Sequence, residues 1–80
     1  MFTIKLYQDD NCYDVLFANH YMISKFLYDG ETVVEITLYK DSATTNGVTY
    51  RVAKELPTPH FSYAYIENIA GKTIEKIITS

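Results

Sequence analysis

The sequence is poor in the residues that cross-link, interrupt or anchor many small proteins. It has one cysteine, no tryptophan, two prolines and three glycines among 80 residues. A lone cysteine cannot form an internal disulfide, whereas a secreted domain of this size usually carries several. No apolar run approaches the roughly 18 residues of a membrane-spanning helix, and the start of the chain lacks the basic and apolar parts of a signal peptide. These absences predict a cytoplasmic protein that makes no membrane contact.

Positive charge is also scarce. Seven lysines and arginines stand against ten acidic residues, which gives a net charge of −3. Binding to a phosphate backbone needs clustered lysine and arginine, and here Arg51 is the one arginine and the lysines are scattered. Nucleic acid is therefore a disfavoured partner. A small barrel that binds single strands remains the alternative, because aromatic side chains can stack on bases.

Motifs for catalysis or cofactor binding are missing. Gly71-Lys72-Thr73 resembles the end of a phosphate-binding loop, but Ile66 stands where that motif requires its first glycine. Cys12, His20 and His60 lack the short paired spacings of a zinc site, and their spacing gives no support for an activated nucleophile. The sequence thus predicts a protein that is not an enzyme and that has no cofactor and no metal.

The residues that are present favour strands. Hydrophobic residues make up 48% of the chain, which includes eight tyrosines and four phenylalanines, and aromatic and β-branched residues suit pleated surfaces. Phe2, Ile4 and Leu6 alternate with polar neighbours, as in a half-buried strand. The length allows a single domain, residues 1–80.

Asp29-Gly30 is the strongest hairpin signal, because a type I′ turn needs positive φ at both of its central residues. With these two residues as the loop, Ile23 faces Ile36. A second tight turn at Asn19-His20 would place Leu16 opposite Ile23 and Asp14 opposite Lys25. Together the two turns predict a three-stranded meander between residues 12 and 40. A helix over 19–28, with Asn19 as its N-cap, is the competing interpretation.

Turn signals continue in the second half of the chain. Asn46-Gly47 precedes an alternating strand at Val48–Val52, and Pro57-Thr58-Pro59 predicts a crossover between two parts of a sheet or barrel. Phe61, Tyr63 and Tyr65 alternate with smaller or apolar neighbours, which predicts a strand. Ala70-Gly71-Lys72 suits a three-residue hairpin with Gly71 in the left-handed position and Thr73–Thr79 as the return strand. A helix over 62–70 that ends at Gly71 is the alternative here.

These elements predict an all-β fold, a small antiparallel barrel or sandwich of about six short strands. An α+β fold with one short helix at 19–28 or 62–70 is the alternative.

The tyrosines are the feature that points to a function. A core this small cannot bury eight phenols with every hydroxyl satisfied, so several should lie at the surface. Tyrosine offers a large contact area at low entropic cost and is enriched in binding surfaces. The alternative is that the rings simply cover two faces of a thin β-structure. The residues predicted to bind are Tyr7, Glu35, Thr37, Tyr39, Tyr63 and Tyr65.

We therefore expect an intracellular protein-binding module that acts by surface complementarity. In composition, although not in any motif, the chain resembles phage-encoded accessory proteins, and that resemblance implies an inhibitor of another protein. Open sheet edges suggest a homodimer. A structural subunit of a larger assembly is a further alternative.

Overall fold

A computed structural model describes residues 1–41, 46–56 and 60–79. The described residues contain seven strands: β1 (Phe2–Asp9), β2 (Cys12–Ala18), β3 (His20–Tyr28), β4 (Glu31–Tyr39), β5 (Val48–Ala53), β6 (Tyr63–Glu67) and β7 (Thr73–Ile78). The predicted all-β fold is confirmed. The alternative helices over 19–28 and 62–70 are wrong, because β3 and β6 occupy those segments. Within the described residues no helix has the length and apolarity needed to cross a membrane.

The strands form two antiparallel sheets. One has the order β2-β1-β6-β7 and the other the order β3-β4-β5. Ile4, Leu6 and Ile66 of the first sheet and Ile36 of the second are fully buried in one cluster. The architecture is therefore a sandwich rather than a barrel. Burying a side chain of this size stabilises the fold by about 1.5–3 kcal/mol.

The β3–β4 hairpin has the predicted register. Asp29 and Gly30 have φ values of 50° and 81°, as a type I′ loop requires, and Ile23 lies opposite Ile36. The predicted apolar row of β1 is confirmed as well, because Ile4 and Leu6 are buried.

The predicted pairing of β2 with β3 is wrong. β2 pairs with β1 instead, so that Leu16 lies opposite Ile4, and the two sheets separate β2 from β3. The Asp14–Lys25 pair and the Leu16–Ile23 pair are therefore not cross-strand neighbours. The reason is that the chain turns a corner between sheets at Asn19, where strands can switch layers.

Asn19 is held at this corner by the end of β4. Its backbone N–H donates a hydrogen bond to the carbonyl oxygen of Tyr39 at 3.0 Å, and its side-chain amide donates to the carbonyl of Lys40. The sequence predicts Asn19 as part of a hairpin turn or as a helix N-cap, and both predictions are wrong. Asn19 is a link between the two sheets.

The second half of the chain follows the predicted strands. β5 covers the expected Val48–Val52 strand and ends one residue later, at Ala53. Gly71 has the predicted positive φ, 82°. The predicted three-residue loop is wrong, because residues 68–72 connect the two strands and Glu67 lies opposite Thr73. Asn46 has a φ of 57°, but residues 42–45 of the same connection lie outside the described residues. So does the predicted crossover Pro57-Thr58-Pro59, although the chain does pass from one sheet to the other between β5 and β6.

Phe61 lies within this passage between the sheets. The backbone N–H of Ala53 donates to the carbonyl of Phe61 at 2.8 Å, and the N–H of Phe61 donates to the carbonyl of Arg51 at 3.0 Å. These bonds place Phe61 along the outer edge of β5.

Candidate binding surface

The outer face of the four-stranded sheet carries a concentration of aromatic side chains. Side chains alternate between the two faces of a strand, so the buried Ile4, Leu6 and Ile66 send their neighbours outward. We call this surface the tyrosine face. It comprises Tyr7 of β1, Tyr13, Val15 and Phe17 of β2, and Tyr63 and Tyr65 of β6.

Three of the tyrosines form a row across adjacent strands. Tyr7 lies opposite Tyr13 on one side and opposite Tyr63 on the other. Its ring centroid is 4.7 Å from that of Tyr13, with an interplanar angle of 27°, and 4.6 Å from that of Tyr63, with an angle of 10°. Both faces of the Tyr7 ring are therefore covered. The ring of Tyr65 contacts those of Tyr7 and Tyr63 edge-on, with centroid distances of 5.6 and 5.7 Å.

This stacking determines what the row offers to a partner. Side chains of a strand stand roughly perpendicular to the sheet, so stacked rings present their edges rather than their faces at the surface. A partner would meet C–H edges and phenolic hydroxyls at this row. Offset-stacked and edge-on pairs also contribute about 0.5–1.5 kcal/mol each beyond the area they bury, which favours a fixed arrangement.

The hydroxyl of Tyr63 is anchored by the turn between β1 and β2. It donates a hydrogen bond of 2.6 Å to Oδ1 of Asp10. This hydrogen bond, together with partial burial and the nearby carboxylate charge, raises the pKa of Tyr63 to about 12. A second hydrogen bond joins the residue before β6 to the end of β1, because Oγ of Ser62 donates to the carbonyl of Gln8 at 2.8 Å.

An ion pair crosses the same face. Nζ of Lys5 lies 3.2 Å from Oε2 of Glu67, and the hydrogen bond and charge of Glu67 raise the pKa of the Lys5 ammonium. The Lys5 side chain lies opposite both Val15 and Tyr65 in the sheet. The Lys5 and Glu67 charges compensate each other, and Lys76 of β7, opposite Tyr65, adds an exposed positive charge at the side of this face.

The β2 flank of this face is the part that sequence reasoning missed. Tyr13, Val15 and Phe17 are 48%, 43% and 61% exposed. Their alternation with Leu16 and Ala18 is visible in the sequence. The predicted meander pairs β2 with β3, and in that pairing Tyr13, Val15 and Phe17 do not lie beside Tyr7. In the structure β2 pairs with β1, so these residues extend the row that begins at Tyr7.

The six predicted binding residues do not form one surface. Tyr7, Tyr63 and Tyr65 meet on the tyrosine face. Glu35, Thr37 and Tyr39 belong to β4 and point outward from the three-stranded sheet, on the opposite side of the sandwich.

The β4 residues are engaged with their own neighbours. Oγ1 of Thr37 lies 2.9 Å from Oγ1 of Thr49, and the Tyr39 hydroxyl donates to the sulfur of Met22 at 3.6 Å. Oε1 of Glu35 lies 3.8 Å from Nε of Arg51. These contacts occupy the polar groups of the β4 face. The same face exposes Met22 and Phe26 of β3, but its described residues form no stacked aromatic row.

The residues considered for a metal or a nucleophile lie apart. Cys12 is exposed, and its Sγ lies 3.2 Å from Oε1 of Gln8. The ring of His20 packs near that of Tyr39, with a centroid distance of 5.9 Å. Across the described ranges, no three His, Cys, Asp or Glu side chains are grouped so that they could hold a metal ion.

Comparison with known proteins finds no match among family models, curated proteins or solved structures.

Proposed function

We propose that the protein is a small protein-binding module whose tyrosine face docks on a folded partner protein. The observation that carries this proposal is the stacked row Tyr13–Tyr7–Tyr63, with Tyr65 edge-on beside it. Tyrosine and other aromatic residues dominate the energetic centres of protein interfaces. A row fixed by stacking also loses little side-chain entropy when a partner covers it, which reduces the cost of binding.

The chemistry of the face favours protein over nucleic acid. Base stacking requires accessible ring faces, and both faces of Tyr7 are covered by neighbouring rings. The basic Lys5 is paired with Glu67, and the chain carries a net charge of −3. A partner suited to this face would present hydrogen-bonding groups to the phenols and apolar side chains to Val15 and Phe17.

Such a module would act by covering a functional surface of its partner, as an inhibitor or an accessory protein of the phage type does. The proposal sets this action in the cytoplasm, a reducing compartment in which the exposed Cys12 would remain a thiol. A structural subunit would use the same face for permanent assembly.

The proposal can be tested by affinity capture from a lysate of the source organism. The bait proteins are the wild type, the double variant Tyr63→Ala/Tyr65→Ala and the matched control Tyr39→Ala. Interface hot spots lose about 2 kcal/mol or more on truncation, which corresponds to a loss of about thirtyfold in affinity. We expect a protein captured by the wild type and by Tyr39→Ala to be depleted by about this factor with the double variant.

Each bait is first checked for folding by circular dichroism. Capture of the same protein in equal amounts by all three folded baits would contradict the proposal. So would the absence of any protein that the wild type retains, or selective loss with Tyr39→Ala.

A further inference from the structure

β2 is an edge strand with few of the usual protections. It pairs with β1 on one side and, among the described residues, with no strand on the other. The free side of an edge strand presents unpaired N–H and C=O groups, which proteins usually shield with lysine, proline, bulges or covering segments. β2 has neither lysine nor proline, and Asp14 is its one charged residue.

The other three edges are better protected. The outer edge of β5 is partly occupied by the hydrogen bonds to Phe61. β7 carries Glu75 and Lys76 in its middle, and β3 carries Lys25. β2 exposes the apolar side chains of Tyr13, Val15 and Phe17. β3 also exposes apolar side chains, but Lys25 lies within it, whereas β2 has no lysine, no proline and no covering strand among the described residues.

The order of these side chains makes β2 complementary to itself. We propose that a second copy of this chain pairs with β2 in antiparallel register about a twofold axis at Val15. In this register Tyr13 lies opposite Phe17 of the second copy, and Phe17 lies opposite its Tyr13. Aromatic and β-branched cross-strand pairs stabilise a sheet.

Charge disfavours one of the two adjacent registers. With the axis at Val15, Asp14 of one copy lies opposite Leu16 of the other. Moving the axis to Asp14 would place two carboxylates directly opposite each other, which destabilises strand pairing. The occupant that best fits this edge is therefore a second β2, since a twofold interface must be self-complementary.

The pairing would join the two four-stranded sheets into one sheet of eight strands. Residues directly opposite each other on paired strands lie on the same face, so the tyrosine faces of the two copies would form a continuous surface. The inference rests on the edge of β2 and does not depend on what the tyrosine face binds.

The test is the mass in solution, measured by sedimentation equilibrium over a range of protein concentrations. The wild type is expected to approach twice the chain mass of 9.2 kDa. Val15→Lys places two ammonium groups opposite each other at the axis and should weaken the dimer at least about tenfold. The matched control, Ser24→Lys on the edge strand β3, should leave the dimer intact.

A wild type that stays at 9.2 kDa at every concentration would overturn the inference. So would a dimer that Ser24→Lys dissociates while Val15→Lys does not.

A cross-linking variant tests the register even if Val15→Lys fails to fold. In a Cys12→Ser background, Val15→Cys brings two thiols together at the axis, within the Cα separation that a disulfide allows. Mild oxidation should give a covalent dimer, whereas Ser24→Cys in the same background should remain a single chain. Equal cross-linking of the two variants, or cross-linking of Ser24→Cys alone, would contradict the pairing.

Discussion

At the scale of single residues, the tyrosines of the outer face have different environments. The Tyr7 ring is covered on both faces, Tyr63 donates to a carboxylate, and Tyr13 is 48% exposed on the edge strand. Because of these differences, a substitution at each position should alter a different property. At Tyr63, the altered property is the pKa of the phenolic hydroxyl.

We predict that Tyr63 titrates at a pH of about 12, above its ordinary value of 10.0. Asp10→Asn should lower this pKa toward 10, because it removes the carboxylate that accepts the hydroxyl proton. The pKa can be measured by following the Tyr63 ring resonances through an NMR titration. The control Asp9→Asn removes an equal charge one residue away, and it should leave the Tyr63 pKa raised.

The raised pKa of Tyr63 also determines how the free energy of unfolding changes with pH. The unfolded chain releases this phenolic proton near pH 10, whereas the folded protein holds it to about pH 12. The contribution of Tyr63 to the free energy of unfolding is therefore complete below pH 10 and is lost as the pH rises toward 12. A wild-type Tyr63 that titrates near 10, or one unaffected by Asp10→Asn, would contradict the hydrogen bond to Asp10.

At the scale of the elements, Asn19 links the end of β2 to the end of β4. Asn19→Ala removes the side-chain hydrogen bond to the Lys40 carbonyl and keeps the backbone bond to Tyr39. We expect the free energy of unfolding to fall by about 0.5–1.5 kcal/mol, as measured by urea denaturation. The exposed Ser24→Ala on β3 serves as control, with an expected change within about 0.5 kcal/mol. Equal effects of the two substitutions would argue against Asn19 as the corner of the sandwich.

The strand pairings show what the sequence could predict at this scale. The register of β3 and β4 follows from Asp29-Gly30, because a two-residue loop of fixed geometry leaves one choice of facing residues. The pairing of β2 could not be obtained in the same way. Its alternation satisfies β1 and β3 as neighbours equally well, and Asn19 has no residue signature that separates a hairpin turn from a corner between sheets.

At the scale of the whole molecule, stability depends on the contact between the two sheets. Ile66 is fully buried in this contact, whereas Ile69, in the turn before β7, is 88% exposed. Ile66→Ala should lower the free energy of unfolding by about 2–5 kcal/mol, since it leaves a cavity in the core. Ile69→Ala removes the same atoms at the surface and should change it by less than about 0.5 kcal/mol.

Both values can be obtained from chemical denaturation of the two variants under one set of conditions. Similar losses for Ile66→Ala and Ile69→Ala would contradict the sandwich core.

The candidate surface was only partly predictable at this scale. Alternation alone places Tyr7 on the face of β1 that lies away from the buried Ile4 and Leu6. It also places Tyr63 and Tyr65 on one face of β6. That these residues meet depends on the pairing of β1 with β6, strands separated by most of the chain, and no local pattern indicates that pairing. The same limitation led Glu35, Thr37 and Tyr39 to be grouped with residues on the opposite side of the molecule.

Amide hydrogen exchange of the protein, free and bound to the partner it captures, tests most directly whether the tyrosine face is the binding surface. We predict that added protection on binding is confined to β1, β2 and β6 and to the Asp10–Asn11 turn beside Tyr63. Exchange in β3, β4 and β5 should be unchanged. Protection that appears on β3, β4 and β5 while β1, β2 and β6 exchange as in the free protein would contradict the assignment of the tyrosine face as the binding surface.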